Sequence, residues 1–134
     1  MITKLDPNEI FVFGSNLAGR HGAGAAKQAH DDFGAEYGVG EGLTGQCYAF
    51  PTLGRQLQRL APWMLYGARD RLYRCCEENP GNTFLLTKVG CGLAGYPEAT
   101  MRGLFTDPPA NLMMPEDWRK IEDQPSGVLR SPGV

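Results

Sequence analysis

The chain has 134 residues, with 13 Lys and Arg against 15 Asp and Glu for a formal net charge of −2. This length suits one domain that buries roughly two-thirds of its unfolded surface, and an apolar fraction of 42% excludes a disordered chain. The charge balance disfavours a general affinity for nucleic acid, which rests on surplus Lys and Arg, and no apolar run approaches the ~20 residues that span a membrane. The opening MITKLDPNEI lacks a basic segment followed by an apolar stretch, so no secretory signal is expected and a cytoplasmic location is.

In chain order, Ile10–Phe13 (IFVF) is an apolar, β-branched and aromatic run that reads as a strand buried on both faces. The glycine loop LAGRHGAG follows, and AAKQAHDDF then predicts a helix with Ala25, Ala26, Ala29 and Phe33 at helical spacing and Gly34 as its stop. Gly38–Gly45 (GVGEGLTG) is a second glycine loop, and Gln46–Phe50 predicts a strand with Pro51 at its edge. The longest helix is expected from Ala61 to Glu78, with Pro62 in its first turn. Leu65, Ala68, Leu72 and Cys75/Cys76 would line one face, and an Asp70–Arg74 pair the exposed side. Asn79-Pro80-Gly81 ends it. Thr83–Val89 predicts another buried strand, Gly90–Gly95 (GCGLAG) a third glycine loop, Pro97–Phe105 a short helix and Asn111–Met114 a last strand. The expected domain is therefore residues 1–118, with 119–134 a poorly ordered tail.

Strands alternating with helices predict an α/β domain with parallel portions in its sheet. Ligands of such sheets sit outside the carboxyl ends of the strands. Glycine supports a site there: of the 18 glycines, nine fall between Gly14 and Gly45, and all three loops are expected to converge. The four cysteines (Cys47, Cys75, Cys76, Cys91) follow no metal-ligand spacing and read as reduced thiols packed as small apolar groups. No metal or cofactor is implied. Neither GxxxxGK[ST] nor GxGxxG occurs. Backbone N–H groups exposed by glycine beside a helix N-terminus nevertheless favour an anion. Gly22-Ala23-Gly24 opens one helix and Gly95-Tyr96-Pro97 another, and two such termini facing one pocket suit a diphosphate.

FVFGSN-LAGRHGAGAA resembles the macrodomain pattern, in which a strand ends in Asn and a glycine-rich loop leads into an Ala-rich helix. VGCGLAGYP resembles the second signature of that family, and TGQCYAFPT lies between them where macrodomains carry a strand ending in Pro. The likeness is to the short macrodomain-like proteins of bacteria and phages, and it covers roughly residues 10–52 and 83–118. It implies a single-domain three-layer fold with a mixed sheet, trimmed of strands. It also implies binding of ADP-ribose or a related nucleotide diphosphate in a bacterial or phage-infected cytoplasm. By the resemblance, Gly14, Ser15 and Asn16 end the first strand, with Asn16 beside the distal ribose. Gly22, Ala23 and Gly24 form the first phosphate-side loop. Gly90, Cys91, Gly92, Leu93, Ala94 and Gly95 grip the diphosphate, and Tyr96 flanks ribose or base. On its own residue type, Asn16 equally reads as an Asx-turn cap and Tyr96 as packing on the sheet. The Asp that recognises adenine in macrodomains has only Asp6 as a counterpart here, and the Asn-rich strand end of hydrolytic members is reduced to Asn16.

ADP-ribosyl or phosphoester hydrolysis would need a positioned water and electrostatic support. The candidates are Asn16, His21 and Glu41, with Lys88 pointing into the pocket or away from it. His21 reads as a titrating group or a solvated loop residue, and Glu41 as a base or a solvent-facing charge. Five of the nine arginines (Arg55, Arg59, Arg69, Arg71, Arg74) fall in one stretch, diluted by acidic residues, and read as a solvated helix face. The alternative to nucleotide binding is a phage-type structural or interaction protein that keeps the fold without a ligand.

Overall fold

The computed structural model describes residues 2–123. Strand β1 (Glu9–Asn16) is followed by α1 (Gly24–Phe33), β2 (Gly42–Thr44), β3 (Cys47–Leu53) and α2 (Pro62–Glu78). Then come β4 (Thr83–Leu86), α3 (Glu98–Leu104), β5 (Leu112–Met113) and α4 (Glu116–Asp123). The five strands make one mixed sheet in the order β2-β3-β1-β4-β5. β1 runs parallel to both β3 and β4, β4 parallel to β5, and only the short edge strand β2 is antiparallel. The protein is thus mixed α/β.

Alternation along β1 divides the core in two. Phe11 and Phe13 join Ala29 of α1 with Cys47 and Ala49 of β3 on one face. Ile10 and Val12 face the other way, into a larger cluster that holds Leu65, Ala68, Leu72 and Cys76 of α2 with Met101 and Leu104 of α3. Side chains of period two on a strand buried on both sides give this continuous apolar run. α1 ends where Gly34 takes a left-handed φ of 84° and returns its N–H to Ala29 O, the usual glycine cap. Among the described residues no helix is long and apolar enough to cross a membrane.

Several expectations are corrected. β1 continues through Gly14 and Ser15 to Asn16, because its pairing with β3 persists to Ser15–Pro51 before a bulge shifts the register. Part of the second glycine loop is strand β2, and β4 stops at Leu86, short of Val89. Asp70 pairs with Arg69 (3.0 Å) in place of Arg74, since Arg69 already reaches over α2 to bond Leu104 O. Cys76 is buried on the inner face of α2, whereas Cys75 is half-buried beside Asn79. Helix α4 carries the chain past Trp118, whose buried ring stacks on Phe105 (6.3 Å) and whose indole N–H donates to Glu98 Oε1 (3.1 Å). Of the expected tail, 119–123 is therefore helical, and 124–134 lies outside the described residues.

Candidate functional site

Because β1, β3 and β4 are parallel, their carboxyl ends lie on one side of the sheet. The segments leaving them diverge: β1 feeds α1 on one face, and β4 feeds α3 on the other. Chain that departs to opposite faces from neighbouring strands leaves a crevice between them. A cleft of about 750 Å³ lies there, lined by the β1–α1 and β4–α3 loops and the end of β3. That volume falls in the ~300–1,000 Å³ range of small-molecule sites.

The floor is where the loops touch. A Cβ on Gly14 would stand 3.2 Å from Gly90 N, so glycine at the end of β1 permits the close approach. The Thr87 hydroxyl ties the same junction by donating to Val12 O (2.8 Å). On one wall α1 begins without any side-chain cap at Ala23 and without an acidic residue in its first turn. Its first bond to the preceding chain is Lys27 N–H to Ala23 O. The N–H groups of Gly24, Ala25 and Ala26, all on the lining, therefore have no acceptor among the described residues. On the facing wall the Gly90–Gly95 loop closes on itself through Gly95 N–H to Gly92 O (3.0 Å) and Tyr96 N–H to Gly90 O (2.8 Å). Gly92, Leu93 and Ala94 are left with N–H groups that have no acceptor among the described residues, and these three also line the cleft. Two sets of consecutive donors on opposite walls make an environment for negative charge.

The charged side chains on the lining are of both signs, Arg20 and Lys88 cationic and Glu98 anionic. Arg20 lines the cleft and forms no ion pair among the described residues. Lys88, also on the lining, is held at the edge by Asp117 (2.9 Å) and Glu98 (3.4 Å). These contacts, Asp117 foremost, raise its pKa above the ordinary lysine value. Glu98 accepts from Trp118 and Lys88, which hold its carboxyl below the usual range.

Eleven of the thirteen residues expected to bind ligand line this cleft: Gly14, Ser15, Asn16, Gly22, Ala23, Gly24, Gly90, Cys91, Gly92, Leu93 and Ala94. Two do not. Gly95 faces away, toward the guanidinium of Arg59. The Tyr96 ring is buried, its hydroxyl donating to Thr52 O (3.0 Å) and accepting from Leu60 N–H (3.0 Å). Tyr96 thus packs between loops, off the lining of the cleft. Of α3, Glu98 alone reaches the lining.

Other expectations fall with the second glycine loop, none of whose residues reaches the lining. Glu41 is held by Arg71 of α2 through bonds of 2.6 and 3.2 Å, so it is neither a base at the cleft nor a free surface charge. His21 is fully buried between Phe13 and Tyr37, with Nε2 2.9 Å from Glu36 O. It is neither solvated nor on the lining. Since a carbonyl can only accept, Nε2 carries a proton, and Nδ1 is buried without a hydrogen-bond partner among the described residues. Asn16 lines the cleft, but its side chain is occupied: Oδ1 accepts from Arg20 N–H (3.1 Å) and Nδ2 donates to Arg20 O (3.0 Å). The loop-capping role described above is therefore the one its contacts fill.

Sequence reasoning missed Arg20, Thr52, Leu57 and Glu98 on the lining. Leu57 carries a signal visible only in three dimensions: it sits at φ 66°, a left-handed backbone that leucine rarely adopts. No family model matches the chain, and neither does any curated protein or solved structure.

Proposed function

We propose that this chain binds ADP-ribose or a related nucleotide diphosphate, on a trimmed macrodomain-like version of the α/β fold. The observation that carries the reading is the pair of donor sets, Gly24–Ala26 and Gly92–Ala94, on opposite walls of one cleft without acceptors among the described residues. A diphosphate offers oxygens to both walls at once, which a single carboxylate does not. Arg20 at the mouth adds positive charge, and the remaining lining from Ala25, Ala26, Leu53, Leu57 and Leu93 is apolar enough to hold a ribose or base. The order of the segments FVFGSN, TGQCYAFPT and VGCGLAGYP, which resembles that of macrodomains, points the same way. Binding rather than hydrolysis is the activity the site supports, since His21 and Glu41 lie off the lining and the Asn16 amide is spent on Arg20.

The test is thermal unfolding with ADP-ribose, ADP, AMP, NAD or UDP-glucose. A ligand at ~100 times its dissociation constant adds about 2.7 kcal/mol, a rise on the order of 10 °C for a domain of this size. ADP-ribose is expected to give that rise. Gly92→Val places a branched side chain among the loop donors, where a Cβ meets nothing within 4 Å. It should abolish the rise while leaving the protein folded. Absence of any shift across the panel, or an undiminished shift in Gly92→Val, would overturn the reading.

A further inference from the structure

The donor loop Gly90–Gly95 has little of its own to hold its shape, since it carries three glycines and its Leu93 side chain is 84% exposed. Its internal bonds hold the N–H ends of the peptide units 94–95 and 95–96, toward Gly92 O and Gly90 O, but do not tie their carbonyls to the rest of the molecule. One side chain does. Arg59 donates from Nε to Ala94 O (2.9 Å) and from Nη2 to Gly95 O (2.6 Å), two consecutive carbonyls of the loop. Its guanidinium then lies over the Tyr96 ring, 4.9 Å from the centroid, within cation–π distance. The other end of the clamp is equally fixed. Arg59 pairs through its backbone with Leu53 at the end of β3, and Tyr96 is anchored by Thr52 and Leu60 on either side of the same turn.

We propose that Arg59, which does not line the cleft, is the positioning residue of the anion site. It fuses the Gly54–Leu60 turn and the Gly90–Gly95 loop into one lip and keeps the loop carbonyls turned away from the ligand. A planar peptide places C=O and the following N–H on opposite sides, so the pinned units turn Gly95 and Tyr96 N–H inward to Gly92 O and Gly90 O. The unit that presents Ala94 N–H is joined to them at the Ala94 Cα, and holding Ala94 O outward restricts its rotation and, through it, that of the units before it. Released, a glycine-rich loop can rotate a peptide and offer a carbonyl to the anion. The same lip carries Leu57 and Leu93 to the lining, so Arg59 also sets the distance between these two apolar contacts. This inference rests on the anion-binding reading above.

The experiment compares Arg59→Gln and Arg59→Lys with the wild type by calorimetric titration with ADP-ribose and by backbone amide NMR of the ligand-free proteins. Arg59→Gln is expected to weaken ADP-ribose about 10-fold or more through lost preorganisation. The amide signals of Gly92–Ala94 should move while those of β1 stay in place. Arg59→Lys, which keeps charge but loses the two-pronged geometry, should lie between the two. Wild-type affinity in Arg59→Gln, or unmoved Gly92–Ala94 amides, overturns the proposal. Should the wild type bind none of the nucleotides, the ligand-free amides still decide. Their displacement in Arg59→Gln would uphold the clamp while the nucleotide reading falls, and unmoved signals would sink the clamp as well.

Discussion

Two glycine-rich stretches of nearly equal composition do opposite work. In Gly38–Gly45 two of the four missing side chains are replaced by backbone: a Cβ on Gly40 would stand 2.6 Å from Asn16 O and 2.7 Å from Leu17 O, and one on Gly45 would collide with Gly34, while Gly38 and Gly42 face open space. In the cleft loops the space beside Gly22 and Gly92 is open, with nothing within 4 Å of a Cβ. Gly40 and Gly45 let chain pack on chain, whereas Gly92 leaves peptide N–H groups uncovered. Composition cannot separate these cases; what a methyl group would meet can.

The comparison breaks or holds on substitutions of increasing subtlety. Gly40→Ala forces a methyl into two carbonyl oxygens that belong to the β1–α1 connection. It should cost about 3 kcal/mol or more, lowering Tm by roughly 10 °C; Gly92→Val should leave Tm within a few degrees of wild type. A Gly40→Ala protein as stable as the parent would erase the distinction.

A smaller effect is read at the cysteines. Burial pushes the Cys47 and Cys76 thiols up to about 12, so at pH 8 both should resist alkylation until the protein unfolds. Cys91 sits in the cleft loop, half-buried, and is raised by burial to a lesser degree. Iodoacetamide, followed by mass spectrometry, should label Cys91 and Cys75 first. ADP-ribose should slow Cys91 alone, whereas equal protection of Cys75 on α2 would separate the ligand from the loop.

The smallest effect concerns pH. Glu98, on the lining beside the third loop, has its folded pKa lowered from 4.5 by the Trp118 indole N–H first and Lys88 next. A lowered folded value favours the native state above the unfolded pKa, and that contribution fades as pH falls through the folded one. Below about pH 4.5 the Trp118 contact should loosen. In a Trp63→Phe background, which removes the exposed second tryptophan, Trp118 fluorescence should shift red on acidification. Glu98→Gln should flatten that pH dependence.

The sequence made the β1–loop–α1 unit and α2 legible because Ile10–Phe13 and Leu65, Ala68 and Leu72 follow the periods of strand and helix directly. It hid β2, where Leu43 is half-exposed on a three-residue edge strand and Gly42 and Thr44 give no alternation. It also hid α4, where the buried Trp118 stands between charged neighbours in the sequence EDWRKIED. Pro115 followed by Glu116 and Asp117 is a helix-start signal that was available. At the site, the backbone donors were legible because glycine and a helix start predict them. The fates of His21, Glu41 and Tyr96 were not, since each depends on partners distant in sequence: Glu36 and Phe13, Arg71, and Thr52. Arg59 was one arginine among a surface cluster until two carbonyls 35 and 36 residues away gave it a role.

The central place of β1 bears on how the chain is made. One of the neighbours of β1, β4, is synthesised some seventy residues after it, and the Thr87–Val12 bond that closes the cleft floor spans 75 residues. Until β4 arrives, the nascent chain holds a strand with one edge open and half of a cleft. Such non-local pairing is slow to form and exposes an unpaired edge meanwhile. The cleft is therefore completed only after β4 and the Gly90–Gly95 loop are made, and a translation product truncated before β4 would carry the first glycine loop without the wall that faces it.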